Sequence, residues 1–177
     1  VSTDLYKIPD NGNKVRYYKN MNDLEKQVKD PEKTISVCHV PRKFDSENAV
    51  DEAYFAETPD GGVIPGFALE NQIKQKFGDM PFSDMQKIAQ ENGYTFKNEN
   101  RGNEDLKDLY EKLGLTKAVS GHFHESGHRA HDSKGNTVEQ GKYTNDLFWN
   151  SGYLDAGQTG ILSVKDDKAS YQNIQLK

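Results

Sequence analysis

Two short apolar runs set the outline of this chain. "TISVC" (34–38) and "TKAVS" (116–120) are each bounded by charged or turn-forming residues, and each is followed within two positions by a histidine, His39 and His122. Apolar runs of this length, rich in β-branched residues, read as buried strands. The sequence between them carries helical patterns. Phe67, Leu69, Ile73 and Phe77 recur at helical spacing up to Gly78. Ser83 with Gln86 forms a capping box for a helix closing at Gly93. Asn103 caps a third stretch whose Leu106, Leu109, Tyr110 and Leu113 share a face and stop at Gly114. Strands alternating with helices predict an α/β fold. The tail changes character: "GILSVKDDKASYQNIQL" predicts two strands joined by Asp166-Asp167-Lys168. Near the start, Asn11-Gly12 marks a turn, and Asn22 with Glu25 caps a short helix ending near Lys29, ahead of Pro31.

Only 33% of the 177 residues are hydrophobic, so the chain makes one domain with a real but thin core. A formal net charge of -5 argues against nucleic acid as a general ligand held by a basic surface. Cys38 is the single cysteine, which excludes an internal disulfide and gives no sign of an oxidising compartment. No apolar run approaches the roughly 20 residues that span a bilayer, and "VSTDLYKIPD" lacks the apolar centre of a signal peptide. A cytoplasmic protein without membrane contact is the expectation. Residues 41–66 hold Pro41, Pro59, Gly61, Gly62, Pro65 and Gly66 and read as a long connection. Compact domains rarely keep such connections without a use, so 41–100 is expected to be a helical and loop insertion near the site.

The chain has five histidines, and four fall within "SGHFHESGHRAHD" (120–132): His122, His124, His128 and His131. His39 and His122 share one address, the carboxyl end of a short strand, where ligands gather in open α/β sheets. In extended backbone, residues i and i+2 face the same way, so His124 is expected to point with His122. Gly121 supplies a bend just before them. Neutral imidazole is a good ligand for Zn, Mn, Fe, Co or Ni. His39, His122 and His124 are therefore the candidate metal ligands. The competing reading for each is a hydrogen-bonded structural histidine. The turn-rich sequence around His128 and His131 predicts an exposed loop for both. His128 is a candidate substrate-binding residue, and so is Arg42, whose planar fork suits a phosphate. Cys38 should alternate to the opposite face of its strand from His39, as a buried, inert thiol.

"SVCHVP", "SGHFH", "WNSGY" (149–153) and the closing "GILSVKDDKASYQNIQLK" together resemble the C-terminal half of the calcineurin-like metallophosphoesterases. The likeness covers most of 34–177. It implies an α/β layered sandwich of two mixed β-sheets flanked by helices, present mainly as its C-terminal half. It also implies two divalent transition metals (Mn, Fe, Zn or Ni), with His39 and His122 on one ion and His124 on the other. The implied reaction is hydrolysis of a phosphate mono- or diester through a metal-activated hydroxide. The family's Asp-x-His, Gly-Asp-x-x-Asp and Asn-His motifs have no counterpart in this sequence, and "GDMPFSD" (78–84) has the wrong aspartate spacing. No catalytic residue is thus assigned in this chain. The missing groups are expected from an upstream N-terminal half or a partner chain, including a second copy in a homo-oligomer. Three imidazoles without a carboxylate also suit a single Zn-like ion. The alternative is a catalytically incomplete binding module that keeps the fold and a partial metal site. A metallo-β-lactamase-like site on His122, His124 and His128 ranks last, because Glu125-Ser126-Gly127 puts the register out.

Overall fold

A computed structural model describes residues 21–46 and 48–177. The Asn11-Gly12 turn and the side chain of Asn22 lie outside the described residues. In chain order the elements are α1 (Met21–Gln27), β1 (Ser36–Val37), β2 (Glu52–Glu57), β3 (Val63–Pro65), α2 (Gly66–Phe77), α3 (Phe82–Glu91), β4 (Thr95–Asn100), α4 (Glu104–Leu113), β5 (Lys117–Ser120), β6 (Ala130–His131), β7 (Leu147–Asn150), β8 (Gln158–Lys165) and β9 (Lys168–Gln175). The described residues form a mixed α/β fold with three sheets. No helix among the described residues is long and apolar enough to cross a membrane.

The central sheet runs β1-β5-β7-β6, with β1, β5 and β7 parallel and β6 antiparallel. Its two faces bury different partners because successive strand residues alternate sides. On one face, Ala118 and Phe148 join Phe44, Val50, Tyr110 and Leu115, covered by Leu24 and Val28 from the α1 side and Leu106 and Leu113 of α4. On the other, Leu147 and Trp149 meet Ala130, Val138, Ala169 and Tyr171 beneath the β8–β9 hairpin. All four residues of β7 are buried. Fully burying a side chain such as Phe148 contributes about 1.5–3 kcal/mol. The hairpin is tied down by Trp149, whose indole N–H donates to Asn173 at 2.8 Å. Its turn is Asp166–Asp167, both at positive φ, between paired Lys165 and Lys168. Two consecutive left-handed residues make the tight turn that matches strand twist.

Local signals place α4 well. Asn103 accepts a hydrogen bond from the Leu106 N–H at 2.8 Å, and Gly114 closes the helix at φ 70. Elsewhere the structure corrects the expectation. The strand read at 34–38 is only Ser36–Val37 as a regular ladder. Its pairing nevertheless continues to the site, with Cys38 N donating to Val119 O and Gly121 N to His39 O, each at 3.1 Å. Helix α3 begins one residue before Ser83, with Pro81 at its N-cap position and no side-chain cap. The segment 41–100 is not helix and loop alone. It contains the antiparallel sheet β3-β2-β4, whose helices α2 and α3 bury Leu69, Ile73, Met85 and Ala89 against Ala56. "EAYFAE" and "TFKNEN" lack β-branched runs. They become strands because they pair from Glu52↔Asn100 to Glu57↔Thr95, an instance of tertiary pairing overriding local preference.

Candidate functional site

The parallel alignment Ser36↔Ala118 and Val37↔Val119 makes β1 and β5 neighbours. The residues that follow them therefore emerge side by side at the carboxyl edge of the sheet. His39 and His122 meet there, ring centroids 5.3 Å apart and nearly perpendicular. The third parallel strand, β7, delivers Asn150 to the same edge. Its buried amide N–H groups face Gly121 O at 3.2 Å, Phe123 O at 3.1 Å and Ser126 Oγ at 3.2 Å, and its Oδ1 accepts from Gly152 N at 2.9 Å. Asn150 thus braces the loop that carries the histidines.

A carboxylate that the sequence reading missed stands behind His122. Asp51 is fully buried, and its oxygens lie 2.8 and 3.0 Å from His122 Nδ1. The Phe123 N–H also donates to it, at 3.3 Å. Burial pushes its carboxyl up from the ordinary range, against the pull of the His122 and Phe123 hydrogen bonds. Asp51 sits in the segment read as a plain connection, 71 positions from its partner. The only local hint is an acidic pair directly after the apolar Ala49-Val50.

Backbone strain is concentrated here. Five described non-glycine residues have positive φ; two form the β8–β9 turn, and the others are Asp51 (66), His122 (82) and His128 (67). Asp and His visit this region more readily than most residues, yet sparsely populated backbone states cluster at functional sites. The turn at His122, rather than at Gly121, also breaks the expected i/i+2 alternation. His124 begins a 3-10 turn with Glu125 and Ser126, and its ring stacks on Tyr153 with centroids 3.5 Å apart. Among the described residues, no three or more His, Cys, Asp or Glu side chains converge as a metal centre requires.

The other candidates have structural partners. Arg42 is 7% exposed. Its guanidinium lies 4.3 Å over the Phe44 ring and 3.4 Å from Glu111. His128 Nε2 lies 3.0 Å from Thr159 O, tying the histidine loop to β8. Cys38 has its Sγ 3.7 Å from the Tyr110 hydroxyl, and burial pushes its thiol up, which fits an inert role.

His131 is not the exposed loop residue that its polar neighbours predict. It is 2% exposed, and the rings of Phe44 and Phe148 pack against it at 4.6 and 6.0 Å. Its Nε2 accepts from the Val50 N–H at 2.9 Å, so the ring is neutral with Nδ1–H donating to Asp132 O at 2.7 Å. Protonating Nε2 would set two donors against each other. Burial lowers its pKa from the usual value of about 6.5. The unfolded chain therefore takes up this proton first as pH falls. Stability from a neutral His131 is intact above about pH 6.5 and declines as pH drops toward the lower folded-state pKa. Urea unfolding across that window should show a slope for the wild type approaching about 1.4 kcal/mol per pH unit more than for His131→Gln. Equal slopes would show that His131 is not held neutral.

Comparison with protein-family models, with curated proteins and with solved structures finds no match to this chain.

Proposed function

We propose that this chain carries the histidine side of a metal-dependent phosphoesterase centre. His39 and His122 are its poised ligands for a divalent transition metal (Mn, Fe, Zn or Ni), and a phosphate mono- or diester is the substrate. The observation that carries this reading is the meeting of the two imidazoles at the ends of adjacent parallel strands. Zinc–nitrogen bonds of about 2.0–2.1 Å at a tetrahedral angle put two ligand-ring centroids roughly 5 Å apart. The observed 5.3 Å suits that span. The motif resemblance of "SVCHVP" and "SGHFH" supports the same reading, as does a layered arrangement in which the β8–β9 hairpin stacks on the central sheet.

His124 is the third ligand, reached by leaving its stack on Tyr153. A bound divalent ion supplies Lewis-acid polarisation and an activated water for in-line attack. This chain's own residues hold and orient: His39 and His122 bind, and Asn150 keeps their loop against the sheet edge. Further ligands, up to a two-metal set, come from a complementary N-terminal half or a second copy of the chain. We place the protein in the cytoplasm, where its lone thiol stays reduced.

A second reading is a non-catalytic module that holds one ion or none. The stacked His124 and the buried, paired Arg42 favour it. The intact protein with Mn²⁺ and either p-nitrophenyl phosphate or its bis ester separates the two. Metal-dependent hydrolysis that falls to background in both His39→Ala and His122→Ala is the expected result. Turnover that is undetectable, or unchanged in either variant, would leave the module reading in its place.

A further inference from the structure

We infer that Asp51 is a positioning residue that selects the Nδ1–H tautomer of His122, leaving the Nε2 lone pair free for a Lewis acid; this rests on the metal-site reading above. The geometry is one-sided. Both carboxylate oxygens of Asp51 lie within 3.0 Å of Nδ1. A carboxylate accepts and does not donate, so Nδ1 carries the proton, and in the neutral ring Nε2 does not. Histidines that bind metals commonly donate their second ring N–H to a carboxylate, which fixes ring orientation and raises ligand basicity.

Three observations argue that Asp51 is held for this purpose rather than by accident of packing. Its side chain is fully buried, and burying a carboxylate is unfavourable unless it is well bonded. Its backbone is at φ 66, a region an unconstrained residue seldom occupies. That backbone is clamped from two other elements: Asp51 N donates to Ser126 Oγ at 3.0 Å, and Asp51 O accepts from Arg101 N at 2.9 Å. Ser126 Oγ is also within 3.2 Å of the Asn150 amide. A continuous chain of hydrogen bonds therefore runs from the end of β7 through Ser126 and Asp51 to the His122 ring.

The test reads the tautomer in metal-free protein, so it does not depend on hydrolysis. Long-range ¹H–¹⁵N spectra of the histidine rings are recorded well above the usual imidazole pKa of about 6.5. The wild type should show His122 as Nδ1–H. Asp51→Gly tolerates the positive φ and removes the acceptor, so His122 should move to the Nε2–H form that free imidazole side chains prefer in water. Asp51→Asn keeps an acceptor oxygen and tolerates the same φ, so it should retain Nδ1–H. A wild-type ring in the Nε2–H form overturns the inference, and so does an Asp51→Gly ring still in the Nδ1–H form. If the glycine variant does not fold, the wild-type spectrum decides alone. Zinc titration of the same proteins separates the two readings. Binding weakened about 10–100-fold in Asp51→Gly supports the inference. No zinc uptake by the wild type removes the metal-site reading and leaves the tautomer assignment to stand or fall on the spectra.

Discussion

Asn150→Ala should collapse the histidine loop and lower global stability by about 2–4 kcal/mol. The effect is large because one side chain, 1% exposed, serves four polar groups. Removing it strands Gly121 O and Gly152 N, while Phe123 O keeps its donors from Ser126 and Ser126 Oγ keeps Asp51 N. Each buried polar group so stranded costs about 1–3 kcal/mol, less where water can enter. The loss is not confined to the loop, since β7 is the buried middle strand between β5 and β6. Ser126 would also lose a neighbour while still holding Asp51 N. Chemical denaturation gives the stability change, and amide exchange at 121–128 gives the local one. A shift below about 0.5 kcal/mol, the range of an ordinary surface change, would contradict the role assigned to Asn150.

The contrast between what the residues announce and what they conceal has a physical basis. The strand ends at His39 and His122 were legible because each follows a continuous apolar run. The cap at Asn103, the stop at Gly114 and the Asp166–Asp167 turn were legible because side-chain and backbone chemistry within a few residues decides them. Their parallel adjacency depends on contacts about 80 positions apart, such as Val37↔Val119, and is only a topological inference from sequence. Strands β2 and β4 were missed for the same reason. Neither carries a strand-like run, and each exists through the other across Glu52↔Asn100. Asp51 was missed with them, because it immediately precedes β2 and meets His122 only once the fold is made.

The histidines show a different limit. Alternation at 122 and 124 assumes extended backbone, and φ 82 at His122 breaks it, sending His124 onto Tyr153. His131 looked like a loop residue because its neighbours are polar. It is buried because Phe44 and Phe148 close over it and because both ring nitrogens find backbone partners. Arg42 looked available to a phosphate because it follows a turn, whereas its cation lies on an aromatic ring beside Glu111.

The proposed site requires His39 and His122 to hold one cation between them. Titrating the intact protein with Zn²⁺ while observing the ring nitrogens of all five histidines tests it most directly. The signals of His39 and His122 should move together with one midpoint. His131, sealed in the core and bonded at both nitrogens, should stay still. His39→Ala and His122→Ala should each weaken binding at least about 100-fold, since each removes a ligand and not merely its support. Binding that shifts neither ring, or shifts one while the other ring's removal leaves the affinity unchanged, would contradict it.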